Sequence, residues 1–134
     1  MASKIENSGV LLSVKSVYAE LLISGCKTVE LRRKFPQDLP KGTEIYIYAS
    51  GSLKKIIGKC EIQKIEKLKI KELWKKCADS AMISWDDFEN YFNDCEFGFA
   101  IYVSKPLRFE NTLRLTEFKS NLTDNRPPQS YCYI

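Results

Sequence analysis

The sequence predicts a mainly β, α+β domain: five or six strands curled into a small sheet or barrel, with two or three short helices on its rim. Two observations carry this expectation. Apolar residues alternate with period two in segments such as EIYIYAS (44–50) and FGFAIYVS (97–104), the signature of half-buried strands. Helical patterns with an identifiable start or stop occur at only a few places, and short turns join most of the elements. At 134 residues, with a hydrophobic fraction of 44%, the chain can bury a core without staples, so residues 1–134 are expected to form a single domain.

Taken in order, GVLLSVK (9–15) reads as a buried strand, and Ser16 as the N-cap of the helix that follows. VYAELLIS continues that helix with Val17, Leu21 and Ser24 on one stripe, and Gly25 supplies the positive-φ stop. KTVELRR (27–33) reads as a second strand, with Val29 and Leu31 on one face and Thr28, Glu30 and Arg32 on the other. FPQDLPKGT is a proline-punctuated loop before EIYIYAS, where Ile45, Ile47 and Ala49 oppose Tyr46, Tyr48 and Ser50. KKIIGKCEIQKIEKL (54–68) is a long strand with Gly58 as a bend or bulge. IKELWKKCA and SWDDFENYF are short helices, the second capped by Ser84 with Asp86 and Asp87 in its first turn. In FGFAIYVS, Phe97, Phe99, Ile101 and Val103 share a face. Gly98, Ala100 and Tyr102 leave the other face open to close approach by a ligand or a neighbouring backbone. Pro106 is expected to end that strand, LRFENTLRLTEF to form another, and NRPPQSYCYI to be a stiff aromatic tail.

Composition narrows the chemistry. There is no histidine, which removes the commonest proton-transfer side chain and the Ser-His-Asp and Cys-His schemes. The five cysteines are far apart, so they read as reduced core residues, and neither a metal site nor a cofactor is expected. No apolar run reaches membrane-spanning length, and MASKIENSG lacks a signal-peptide core, so no membrane association and a cytoplasmic location are expected. Charge is uneven: residues 54–76 hold nine lysines against three glutamates, and residues 79–96 hold six acids and no cation. The basic segment reads either as a polyanion contact or as a solvated face.

The motif G-x-K-x-x-E-x-R falls on Gly25, Lys27, Glu30 and Arg32 within GCKTVELR. With this motif, the sequence resembles the ASCH domain family of the PUA-like superfamily. LLSVKSVYAELLISG is similar to that family's opening strand and helix, and RPPQSYCYI to the closing segment of a bacterial and phage branch. The resemblance implies a PUA-like β-barrel with a cleft beside the first helix, and binding of RNA or of nucleic acid more broadly. One branch is an amidohydrolase of acylated cytidine that uses the motif lysine, a threonine and a further glutamate; another has been described as a ribonuclease. Here Glu30 stands at the threonine position and has no hydroxyl, and the nearby Thr28 does not match it.

The leading expectation is therefore a module that takes RNA or a modified nucleotide into a cleft lined by the motif and the C-terminal tail. Lys27 is either a cleft cation or a helix-capping surface lysine. Glu30 either accepts from an amino group such as that of cytosine or pairs with Arg32, and the three motif residues converge only if 26 and 27 still belong to the turn. Arg32, Arg33 and Lys34 suit phosphate or form a basic edge. Tyr46 or Tyr48 either stacks on a base or packs against the protein. Lys15, Ser50, Arg126 and Tyr131 complete the candidate binding set, with Gln129 and Ser130 in the same tail. If the protein is an enzyme, a ribonuclease or an amidohydrolase, Lys27 and Ser130 are the catalytic candidates. A third reading is a protein-interaction adaptor using the acidic face around Asp86, Asp87 and Glu89.

Overall fold

A computed structural model describes residues 9–118 and 126–134. The polar segment 1–8, on which the expectation of no signal peptide rests, lies outside the described residues. Strand β1 (Gly9–Lys15) leads into helix α1 (Ser16–Ser24), then come β2 (Val29–Arg32), β3 (Glu44–Ser50) and β4 (Lys55–Lys69). Helices α2 (Ile70–Ala81) and α3 (Trp85–Tyr91) follow, then β5 (Phe97–Leu113), a 3-10 turn at Leu115–Glu117 and β6 (Tyr131–Tyr133). The six strands form one sheet in the order β2-β5-β4-β3-β1-β6. β1 and β3 run parallel, with α1 and β2 in the crossover between them; the other pairings are antiparallel.

The sheet curls around a core of Val10, Leu12, Ile45, Ile47, Ile57 and Ile62, which α1 covers with Ala19, Leu22 and Ile23. A second cluster packs α2 and α3, through Leu73, Cys77 and Phe88, onto Val29, Leu31 and Ala100. A third lies outside β1 and β3 and joins Leu11, Tyr48, Ile56 and Leu115.

Several sequence expectations are corrected. Ser16 is the first helical residue rather than the cap: Lys15 holds the N-cap position, and the Ser16 hydroxyl donates to the Ser50 carbonyl at 2.6 Å. The buried stripe of α1 is Ala19, Leu22 and Ile23, leaving Val17 63% exposed. The second strand is shorter than expected, because Thr28 spends its amide on the Ser80 carbonyl and not on a strand partner. Pro106 does not end β5. Lys105 takes a left-handed φ of 53°, and the β4 register shifts between Lys59 and Glu61, so a bulge absorbs the proline's missing donor. Gly98 is approached not by a ligand or a backbone but by Leu73 and Phe92, each 2.6 Å from where a Cβ would stand.

Other expectations hold. Gly25 has φ 87°, the Ser84 hydroxyl accepts from the Asp87 amide at 3.2 Å, and register shifts flank Gly58. Among the described residues no helix is long and apolar enough to cross a membrane.

Candidate functional site

A cleft of about 660 Å³ opens where the C-terminal end of β1, the start of α1, β2, α3 and the segment before β6 meet. Its position follows from the sheet order. β2 and β6 are the two edges of the curled sheet and share no backbone ladder, so side chains must bridge the gap between them.

Arg32 does this. Its Nε donates to Glu30 Oε2 at 2.9 Å, its Nη1 to Ser130 Oγ at 3.1 Å, and its Nη2 to the Ser13 carbonyl at 2.8 Å. One guanidinium thus ties β2 to β1 and to the residue preceding β6, in the fork geometry that suits arginine and not lysine. Just beyond β2, Phe35 packs on Tyr131 with ring centroids 5.1 Å apart. Glu30 also faces Lys27, whose Nζ lies 3.6 Å from Oε1 and donates to the Ala81 carbonyl at the end of α2, at 2.5 Å. β2 starts only at Val29, so residue 27 still belongs to the turn after α1, and the three motif residues converge.

All three are buried: Lys27 is 3% exposed, Glu30 6% and Arg32 8%. Burial pushes the Lys27 pKa down, Glu30 opposes that, and Arg32 adds to it. The ring of Tyr18 covers Lys27, its centroid 5.1 Å from Nζ, and the Tyr18 hydroxyl donates to Asp87 Oδ2 at 2.9 Å. Desolvation and then the Asp87 bond raise the Tyr18 pKa, keeping the phenol a donor. Tyr18 and Asp87 therefore link α1 to α3 above the motif. On the same wall the Arg33 guanidinium stacks 4.9 Å from the Tyr91 ring centroid, and its amide donates to the Tyr91 hydroxyl at 3.3 Å.

Of the sequence candidates, Lys15, Lys27, Glu30, Arg32, Arg33, Ser50 and Gln129 line the cleft, and Ser130 bonds Arg32 at its edge. Tyr131 packs behind the seam against Phe35 and Tyr133 and is not among the lining residues. Arg126 is exposed and lies outside the lining. Tyr46 and Tyr48 do not reach the cleft. Strand alternation sends them to the outer face of β3, where Tyr48 sits with Leu11, Ile56 and Leu115, and Tyr46 packs on Phe109 and Phe118. Sequence reasoning missed Ser13, Tyr18, Asn90 and Tyr91 as cleft residues, and assigned Asp87 to a partner face and not to this wall. Asp87, Asn90 and Tyr91 stand at i, i+3 and i+4, so their shared face was legible, but not what it faced.

Part of the basic segment is self-neutralised: Lys59 pairs with Glu44 at 2.7 Å, and Lys76 and Lys64 with Glu66 at 2.9 and 3.7 Å. Among the described residues no group of His, Cys, Asp or Glu is arranged to hold a metal ion.

The family model described as ASCH domain matches residues 12–112. An "ASCH domain-containing ribonuclease" from Zymomonas mobilis is 31% identical over 127 residues, covering 92% of this chain and 82% of the relative. The crystal structure of ASCH from Z. mobilis superposes with a TM-score of 0.85 at 26% identity, over 96% of this chain and 88% of that one. Structures of a tyrosine-to-phenylalanine and a serine-to-alanine variant of the Z. mobilis protein match with the same TM-score, at 25% and 26% identity. They cover 95% and 96% of this chain, and 90% and 89% of theirs.

Proposed function

The chain belongs to the ASCH domain family, and on that premise we propose that residues 1–134 act as one module that binds single-stranded RNA through the cleft at the β1–β2 seam. The observation that carries this reading is the division of labour in the cleft. A buried Lys27–Glu30–Arg32 core fixes the walls, while Lys15 and Arg33 remain exposed at the mouth beside an aromatic ring. Mouth cations neutralise phosphates, and an arginine plane supported by Tyr91 offers a surface on which an unpaired base stacks. The volume suits a nucleotide-sized group. The motif acts mainly by positioning, since its polar atoms already bond one another. Those lysines of 54–76 that pair with no acid among the described residues serve as auxiliary contacts.

The test is titration of short labelled single-stranded RNA, single-stranded DNA and duplex into wild type, Lys15→Ala and Arg33→Ala at several salt concentrations. Removing one cation that neutralises a phosphate should reduce the log–log salt slope by about 0.7 and weaken binding to the single strand. Binding unchanged in both variants rejects this cleft as the site.

A ribonuclease reading is favoured by the name of the Z. mobilis relative and by its two variants, each of which lacks one hydroxyl. In this chain Ser130 is the hydroxyl tied to the motif, through Arg32 and Glu30 to Lys27. The 2′-hydroxyl of RNA would attack the adjacent phosphorus and expel the 5′-oxygen. Ser130 Oγ, oriented by Arg32, would take the proton of the attacking 2′-hydroxyl and pass its own to the departing 5′-oxygen, so the proton lost at one oxygen arrives at the other. Retained RNA binding with cleavage abolished in Ser130→Ala, in protein free of contaminating nuclease, supports catalysis; equal cleavage rejects that role.

A further inference from the structure

Two of the residues that line the cleft, both on α3, keep hydrogen-bonding capacity that the described residues do not spend on the fold. Glu30, the acidic residue of the motif, is 6% exposed and held between Arg32 and Lys27, so it offers little to a ligand. Asp87 is different. It is exposed, it lines the cleft, and among the described residues its carboxylate accepts only from the Tyr18 hydroxyl, through Oδ2. Oδ1 is left to accept. One helical turn on, Asn90 lines the same cleft, and an i, i+3 spacing sets the two side chains side by side. The Arg33 plane, backed by Tyr91, stands on the same wall.

We infer that Asp87 and Asn90 of α3 read the base that enters the cleft, selecting a Watson–Crick edge with an exocyclic amino group beside a ring-nitrogen acceptor, that of cytosine or adenine. A carboxylate accepts from N4–H of cytosine or N6–H of adenine. The neighbouring amide of Asn90 donates to N3 of cytosine or N1 of adenine. Uracil presents the opposite pattern: its O4 faces the carboxylate, and its N3–H takes the place of the acceptor. A base stacked on Arg33 brings its edge toward α3, because Arg33 is anchored there by Tyr91. Tyr18 has a positioning role, fixing the Asp87 carboxylate by its 2.9 Å bond so that Oδ1 remains presented.

This inference rests on the RNA-binding reading, and the experiment separates the two. Octamers of cytidylate, adenylate and uridylate are titrated into wild type, Asp87→Asn and Asn90→Ala at fixed salt. Asp87→Asn keeps an acceptor for Tyr18 and so preserves the bond between α1 and α3. Wild type should bind the C and A octamers about tenfold tighter than the U octamer, the smaller end of the discrimination a good paired contact gives. Asp87→Asn places a donor where the acceptor stood, so the preference should vanish or turn toward U. Asn90→Ala should weaken the C and A octamers while leaving U unchanged. Equal binding of the three octamers by wild type, or an unaltered ranking in Asp87→Asn, overturns the inference while leaving salt-dependent RNA binding intact. Failure of all three octamers to bind overturns both readings.

Discussion

Replacing Arg32 with methionine tests whether one buried side chain closes the sheet. Methionine keeps much of the aliphatic stem but removes three hydrogen bonds, of 2.9, 3.1 and 2.8 Å, to Glu30, Ser130 and the Ser13 carbonyl. Bonds to a charged group contribute about 1.5–3 kcal/mol each, but the fold no longer desolvates a guanidinium, so the three do not simply add. What remains is Glu30, 6% exposed, with Lys27 at 3.6 Å as its one cation among the described residues. Removing one partner of a buried pair costs about 3–5 kcal/mol, the loss expected here in urea unfolding. A local readout should accompany it. The Ser13 amide donates to the Ser130 carbonyl and the Ile134 amide to the Gly9 carbonyl, so hydrogen exchange at both should accelerate as the last strand loosens. A loss below about 1 kcal/mol with unchanged exchange at those amides would refute the assignment of Arg32 as the closing residue.

Three further outcomes are expected. Gly58→Ala should destabilise by more than about 3 kcal/mol in thermal or urea unfolding, because the added Cβ would stand 2.3 Å from the Leu107 carbonyl oxygen, where backbone must move. Ser84→Ala should cost about 1 kcal/mol through loss of the α3 cap, and the loss should be recovered by Ser84→Asp. Burial pushes the Cys60 thiol from about 9 up to about 12, so its contribution to stability is full below pH 9 and is lost as pH rises toward 12. Over that window wild type should therefore lose stability more steeply than Cys60→Val, by up to about 1.4 kcal/mol per pH unit; parallel curves would contradict it.

The apolar run of 9–15 and the period-two pattern of 44–50 place β1 and β3 with the observed bounds, because both strands lie mid-sheet: β1 is buried on both faces, and the alternation in β3 reports a real core face. The same alternation separates Tyr46 and Tyr48 from Ile45 and Ile47, but cannot say that the outer face is roofed by Leu115 and Phe118. That roof is a long-range contact with no local signature, and it removes both tyrosines from the cleft. α1 misleads for a similar reason. Its apolar residues surround much of the helix, so Val17 and Leu22 look equivalent until the sheet shows that only the Leu22 side is covered. The motif cluster was legible because its residues lie close in sequence. The α3 wall was not, because Tyr18 and Asp87 are 69 residues apart and meet only after α2 folds back. Pro106 breaks a strand only when no bulge can absorb it, and the left-handed Lys105 that provides one is not a residue type that advertises itself.

The partner that completes Arg32 is made late: Ser130 follows it by 98 residues. At bacterial or eukaryotic elongation speeds of about 5–20 residues per second, a nascent chain carries the arginine for about 5–20 seconds before its serine exists. During synthesis the two sheet margins therefore stay apart, and the proposed nucleic-acid groove has walls but no finished floor. If the groove binds RNA as proposed, the order of synthesis itself disfavours premature capture of messenger or ribosomal RNA by a half-made chain.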